Sequence, residues 1–414
     1  MNKMDLAKWN YSTIALRRLP EKKTIILVVI SLAGLFLRVH GLGRESLWFD
    51  EGFTLYVARQ NVARIFFAPL DVPPLFYIML HFWIRLFGNS EVSVRFPSVV
   101  FSVLSIFMTY KIAKKLFDTE VGLISAALSA LSLFYVQYAQ EARTYSLTVL
   151  LTLASMYYFL ETYDKKTYSG LLGYIVFSTL LLYSHIYGFF IIISQNIYFF
   201  VMTLTSDEED RKEKMKRWFF VQATICALFS PWVPILLGQI AANEKIFWIL
   251  KPNRWTLIET FLTYSWHNQY LFLLFALLIP LSFITYERIS GQLSWNSFFQ
   301  SMENIRCKVG LSQTTQIFFL FTWLSIPIAL PFAISRYSAP IYLIKYTIIA
   351  CPAFFLFVAA GLGNIANRRM RLIVQMTMLA LLLGFAVPAF SHYYRGPQKD
   401  QWREAAHFID THAA

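Results

Sequence analysis

Runs of about twenty apolar residues recur along this chain, and that is the length a helix needs to cross the hydrocarbon core of a bilayer. About eleven such runs occur. They lie near 24–42, 96–116, 119–137, 144–161, 168–186, 187–204, 217–237, 269–286, 315–334, 345–363 and 372–390. With 57% apolar and 15% charged residues and a mean hydropathy of +0.49, the chain carries more apolar surface than a soluble domain can bury. A bilayer is its solvent, and the fold class expected is an all-α polytopic membrane bundle.

The formal charge of +13 does not point to nucleic acid, because Lys and Arg fall in short clusters between apolar runs. The clusters are the N-terminal stretch with Arg17, Arg18, Lys22 and Lys23, then Lys111/Lys114/Lys115, Lys165/Lys166, Arg211 to Arg217, and Arg368/Arg369/Arg371. All fall on one side if the segment Pro73 to Phe87, short and aromatic with His81 and Arg85, lies along the interface. That side is expected to be cytoplasmic, with the N-terminus inside and the first helix uncleaved, in the cell (inner or plasma) membrane. Residues 1–390 then form one transmembrane domain with a first outer loop at about 43–95. Residues 391–414 form a short outer tail, too short for a separate domain and able to cover the site or bind acceptor. The run Asp207 to Arg217 reads as a solvated inner loop, and Glu287 to Gln316 as a longer one. Cys226, Cys307 and Cys351 all lie away from the oxidising side, so no disulfide framework is expected.

Unusual polar residues gather in the outer loops: Asp50 and Glu51, Asp71, Glu141 and Arg143, His185, then Arg336 and Lys345. Ionisable groups at a membrane face are costly unless paired or hydrated, which makes function their default reading. Plain readings stand beside it. The Asp50–Glu51 pair could cap a helix, Glu141 and Arg143 could form a structural ion pair, and His185 could be a packed, hydrogen-bonded ring.

The run from Trp48 to Leu150 resembles the bacterial membrane glycosyltransferases related to family 39, namely the protein O-mannosyltransferases and the aminoarabinose transferases of lipid A. The resemblance rests on Phe49-Asp50-Glu51, on Asp71-Val72-Pro73-Pro74-Leu75-Phe76-Tyr77, on Arg95-Phe96-Pro97-Ser98, and on Gln140-Glu141-Ala142-Arg143-Thr144-Tyr145. Weaker echoes continue in His185-Ile186-Tyr187-Gly188, Pro231-Trp232-Val233-Pro234 and Arg336-Tyr337. It implies a GT-C fold, here a bundle of the about 11 transmembrane helices counted above with interfacial helices in the first loop, and a sugar donor carried on polyprenyl phosphate. It also implies that Asp50 is the base on the acceptor hydroxyl, that Glu51 orients Asp50 or the acceptor, and that transfer inverts the anomeric carbon. One position departs from the pattern: Val72 stands where related transferases carry His or Lys before the two prolines.

Such a reaction needs a base, cations for the leaving phosphate and an apolar groove for the lipid. Arg143, Arg336, Arg95 and Lys345 are the candidate phosphate ligands, since Arg and Lys are the residues that bind phosphate. Asp71, Glu141 and His185 are candidates for substrate or metal. A divalent ion on Asp50, Asp71 or His185 would be Mg²⁺ or Mn²⁺ by its carboxylates, or Zn²⁺ by the histidine. The acceptor is left open between lipid, protein and polysaccharide. The competing classes are a polyprenyl-lipid or solute transporter or flippase, expected to show broken helices and midplane charges, and a non-catalytic envelope scaffold.

Overall fold

The computed structural model describes residues 22–412 apart from 69, 71, 166, 205–206, 244–248, 284–313 and 366. These residues form helices and turns, with no strand among them. Helix α1 (Lys22–Val39) leads into three short helices, α2 (Phe49–Ala58), α3 (Val62–Phe67) and α4 (Leu75–Phe87). A run of long helices follows: α5 (Glu91–Leu116), α6 (Thr119–Leu131), α7 (Leu133–Ala139), α8 (Tyr145–Lys165), α9 (Tyr168–Ser184), α10 (Gly188–Leu204) and α11 (Glu208–Phe229). Then come α12 (Val233–Asn243), α13 (Arg254–Tyr264), α14 (Gln269–Leu278), α15 (Thr314–Tyr337), α16 (Cys351–Gly363), α17 (Arg368–Arg395) and α18 (Trp402–His412).

The described parts of the eleven expected spans fall on helical segments, with the first loop folded into α2 to α4 as expected. By length and composition, four described helical stretches are long and apolar enough to cross a bilayer alone, and two bent pairs bring the number to six. Those pairs are α6 with α7, bent by 56°, and α13 with α14, bent by 87°. Four shorter helices, α4, α9, α10 and α16, are also apolar. Broken helices are the feature expected of a transporter, so the cause of the first break matters.

Ser132 makes that break. Its hydroxyl accepts the Tyr135 N–H and starts α7, which leaves the last carbonyls of α6 without helical partners. Arg38, buried near the end of α1, donates to two of them, Ser129 O at 3.0 Å and Ala130 O at 2.9 Å, and to Ser102 Oγ at 2.7 Å. A cation at a helix C-terminus is favoured by the helix dipole as well. The break therefore re-aims the chain so that α7 ends at the Gln140–Thr144 loop.

Two expectations are corrected here. Asp207 to Arg217 is not a loop: it supplies the N-terminal residue before α11 and its first three turns. Glu208, Glu209 and Asp210 sit where the helix dipole favours acids, and Glu208–Lys212 and Asp210–Lys214 are i,i+4 pairs in the favourable order. The span expected at 345–363 begins as a 3₁₀ turn over Ile344–Ile349 and becomes α-helical only in α16. Most of the loop expected at 287–316, and Cys307 with it, lies outside the described residues.

Helix α16 is apolar all round and buried from Cys351 to Leu362, which makes it the axis of the bundle. Its Gly361 lies against the Leu278 carbonyl so closely that a Cβ would overlap the oxygen. By contrast α17 is largely exposed along its apolar length, as a lipid-facing helix would be.

Candidate active site

One end of the bundle collects the loops that carry the unusual polar residues. The chain enters it from α1 to α2, from α7 to α8, from α9 to α10, from α15 to α16, and from α17 to α18. Asp50 and Glu51 are consecutive on the first turn of α2, so their side chains diverge by about 100°. Glu51 points inward and its side chain is 0% exposed. Asp50 is at the rim with its side chain 27% exposed.

Glu51 is surrounded by donors. Its Oε1 accepts Arg95 Nε at 2.8 Å and the Ala142 N–H at 2.8 Å, while Oε2 accepts Arg95 Nη2 at 2.7 Å and Lys399 Nζ at 3.2 Å. Burial alone would raise its carboxyl, but the Arg95 hydrogen bond, the charges of Lys399 and Arg95 and the Ala142 amide outweigh burial and hold it below its ordinary value. Arg95 is not the phosphate ligand expected from its type. All five of its N–H groups are spent: three bonds go to the carbonyls of Leu42, Glu45 and Ser46, and two to Glu51. It closes the loop between α1 and α2 and has no donor left for a substrate.

Arg143 reaches the same helix from the other side. Its Nη2 lies 3.9 Å from Asp50 Oδ2, and its Nη1 donates to Thr54 Oγ1 at 3.2 Å. Thr54 in turn donates to the Asp50 carbonyl at 2.7 Å, so one guanidinium grips a full turn of α2. Residues 93 apart in sequence thus place a half-open carboxylate beside a buried cation.

Glu141, between these groups, is buried, and its Oε2 has no hydrogen-bond partner among the described residues. Burial pushes its carboxyl up to about 7, with Lys399, Lys345 and Arg143 pulling down and Glu51 pushing up. Lys345 is the second residue of the 3₁₀ turn after α15 and lies 5.7 Å from the Tyr145 ring centroid and 5.9 Å from that of Tyr346. His185 is buried. Its Nδ1 accepts the Tyr187 N–H at 3.1 Å, and its ring packs against Tyr346 at 4.7 Å and Tyr187 at 5.6 Å. Tyr187 donates to the Ile341 carbonyl at 3.0 Å and ties this turn to the α15–α16 connection.

Arg336 is not brought into this group. It is exposed at the last turn of α15 and makes no ion pair among the described residues. Asp71 lies outside the described residues. Among the described residues no three His, Cys, Asp or Glu side chains gather closely enough to hold a metal, so those residues do not fit a three-ligand site.

One participant had no signal in the sequence. Residues 396–401 fold back over the first loop, and Lys399 inserts between Glu51 and the Gln140 carbonyl, which accepts from Nζ at 2.7 Å. Nothing local distinguishes Lys399 from any other lysine in a polar tail.

Set against known proteins, residues 71–235 match the family described as Dolichyl-phosphate-mannose-protein mannosyltransferase. The chain also overlays ArnT from Cupriavidus metallidurans bound to undecaprenyl phosphate, with a TM-score of 0.56 at 13% identity, covering 86% of this chain and 63% of that one. The Archaeoglobus fulgidus oligosaccharyltransferase in complex with Zn and sulfate overlays with a TM-score of 0.61 at 13% identity, over 94% of this chain and 55% of that one. The fold is GT-C. A protein from Aquifex aeolicus is 23% identical over 390 residues, 90% of this chain and 70% of its own length. The GT-C chains that overlay are longer, and this chain spans less than two thirds of each. In the GT-C frame, the polar end described above is built from the loops that join the membrane helices, and the break at Ser132 serves to aim one of them.

Proposed function

We propose that this protein is a membrane glycosyltransferase that moves a sugar from a polyprenyl-phosphate donor to an acceptor hydroxyl. The observation that carries the reading is the half-open Asp50 carboxylate held 3.9 Å from the buried Arg143 guanidinium. Asp50 takes the proton of the acceptor hydroxyl, and the freed oxygen attacks the anomeric carbon. The bond from that carbon to the phosphate oxygen breaks, and polyprenyl phosphate leaves with the electron pair. Direct displacement inverts the carbon. Arg143 and Lys345 supply positive charge for the leaving phosphate, where preorganised cations count most. Glu51 is a positioning residue in this scheme, because both its oxygens are already occupied by the protein.

The overlaid ArnT structure supports a lipid-phosphate donor, since it holds undecaprenyl phosphate. The basic clusters at the other end of the bundle support an active end that faces away from the cytoplasm. The test is turnover of labelled polyprenyl-phosphate sugars by the purified chain in nanodiscs. Wild-type protein is expected to transfer one of them. Asp50→Asn is expected to lose about 10²–10⁴-fold in kcat while its melting temperature stays within a few degrees of wild type. Undiminished transfer by that variant removes Asp50 as the base.

A further inference from the structure

Asp50 and Arg143 sit on different segments, and their distance depends on how α2 is fastened to the Gln140–Arg143 loop. Besides the Arg143 bond to Thr54, two links make that joint through Glu51. One is the Ala142 N–H to Glu51 Oε1. The other comes from far away in sequence: Lys399 Nζ touches Glu51 Oε2 at 3.2 Å and the Gln140 carbonyl at 2.7 Å, so one ammonium holds the residue after Asp50 and the residue three before Arg143.

The segment that delivers Lys399 is itself anchored along the first loop. Arg44 donates to the Arg395 carbonyl at 3.0 Å, the Gln398 N–H to Glu45 Oε1 at 2.8 Å, and Ser46 Oγ to the Asp400 carbonyl at 2.8 Å. Beyond it, Arg403 donates to the Arg44 carbonyl at 2.8 Å and to Glu91 at 3.2 Å. Five contacts over nine residues hold the end of α17, this irregular stretch and the start of α18 in one register. With its side chain 8% exposed, Lys399 is placed inside the protein and not on it.

We propose that residues 396–401 are a strap that completes the GT-C site, and that Lys399 is a positioning residue which sets the spacing of Asp50 and Arg143 by clamping α2 to the Gln140–Arg143 loop. A lysine suits the place because its ammonium offers three donors to a carboxylate and a carbonyl that lie in different directions. The role rests on the proposed transferase activity, but the clamp itself is a physical claim about the folded chain. It predicts that loosening the strap loosens a loop more than 250 residues away in sequence.

The test uses the full chain in nanodiscs and two readouts. Lys399→Met is expected to raise amide hydrogen exchange in residues 140–143 by tenfold or more, with the long helices unchanged. Lys399→Arg, which keeps the charge and the donors, is expected to restore protection. If Lys399→Met unfolds the chain, Glu45→Gln answers instead, since it weakens the Gln398 anchor without touching the clamp. Faster exchange at 398–400 accompanied by faster exchange at 140–143 supports the strap, and faster exchange at 398–400 alone overturns it. In transfer assays, Lys399→Met is expected to lower kcat tenfold or more with the donor KM within about twofold, and the arginine variant to recover most of it. Unchanged exchange at 140–143 in Lys399→Met overturns the clamp whatever the activity. Changed exchange in a chain that turns over no lipid-phosphate sugar leaves the clamp standing and removes the proposed reaction.

Discussion

The two ends of the bundle both carry ion pairs, and they are built differently. At the far end Lys115 meets Glu161 at 2.9 Å with side chains 17% and 19% exposed, Lys212 meets Glu208 and Arg371 meets Glu120 at the surface. At the site end Arg95, Lys399 and Glu51 pair with side chains 2%, 8% and 0% exposed. The first set orients helices in a wet interface, where a pair contributes about 0–1 kcal/mol. The second is sealed from water, where removing one partner strands the others and costs about 3–5 kcal/mol. Distance alone does not separate the sets, since both contain contacts near 2.7 Å. Burial does.

Glu51→Gln tests the contrast most severely. It leaves Arg95 and Lys399 buried beside a neutral amide, and loss of about 3–5 kcal/mol is expected in denaturation of the detergent-solubilised chain. A loss below about 1 kcal/mol would place both ends in one class. Arg143→Met comes next. It keeps most of the side chain's bulk and removes the charge beside Asp50, so kcat is expected to drop about 10²–10³-fold. A change confined to KM would mean that Arg143 binds donor equally in ground and transition state.

Glu141 sharpens the comparison through pH. Burial raises its carboxyl to about 7 in the folded chain from an ordinary 4.5. A group raised on folding contributes fully below its unfolded value, and that contribution is lost as pH climbs through the folded value. Stability of wild type relative to Glu141→Gln is therefore expected to fall between about pH 4.5 and 7 and then level off. Glu51, held low, has the opposite sign: its contribution is present above the ordinary carboxylate value and is lost as pH drops through the folded one. The smallest effect is expected from Glu161→Gln at the far end, about 1 kcal/mol or less and weaker still in high salt.

Much of the bundle was legible because hydrophobic length is a property of one segment at a time. The runs at 24–42, 96–116 and 315–334 became α1, α5 and α15 for that reason. The break at Ser132 was not, because a serine among apolar residues is unremarkable until Arg38 arrives to take the loose carbonyls. The charges of Asp207 to Arg217 suggested a loop, yet their order along the chain is what a helix start prefers. In the site, Asp50 and Arg143 stood out as charges in an apolar chain, and the structure brings them together. Arg95 stood out equally and faces carbonyls, a distinction that residue type does not carry. Lys399 was invisible since its partners lie 259 and 348 positions away. From sequence, the C-terminal tail is able to cover the site or bind acceptor. It does lie over the first loop, through contacts that no local pattern announced.

The central position of α16 has a consequence for how the protein is made. A ribosome delivers α16 after α1 to α15, so α6 and α14, which it packs against, reach the bilayer while the place between them still has no tenant. The overlap that any side chain at Gly361 would make with the Leu278 carbonyl shows how little clearance the latecomer has. Lys399 is synthesised later still. Helices α1 to α16 can therefore enter the bilayer before the contacts of Lys399 close the polar end, because the strap is made after them.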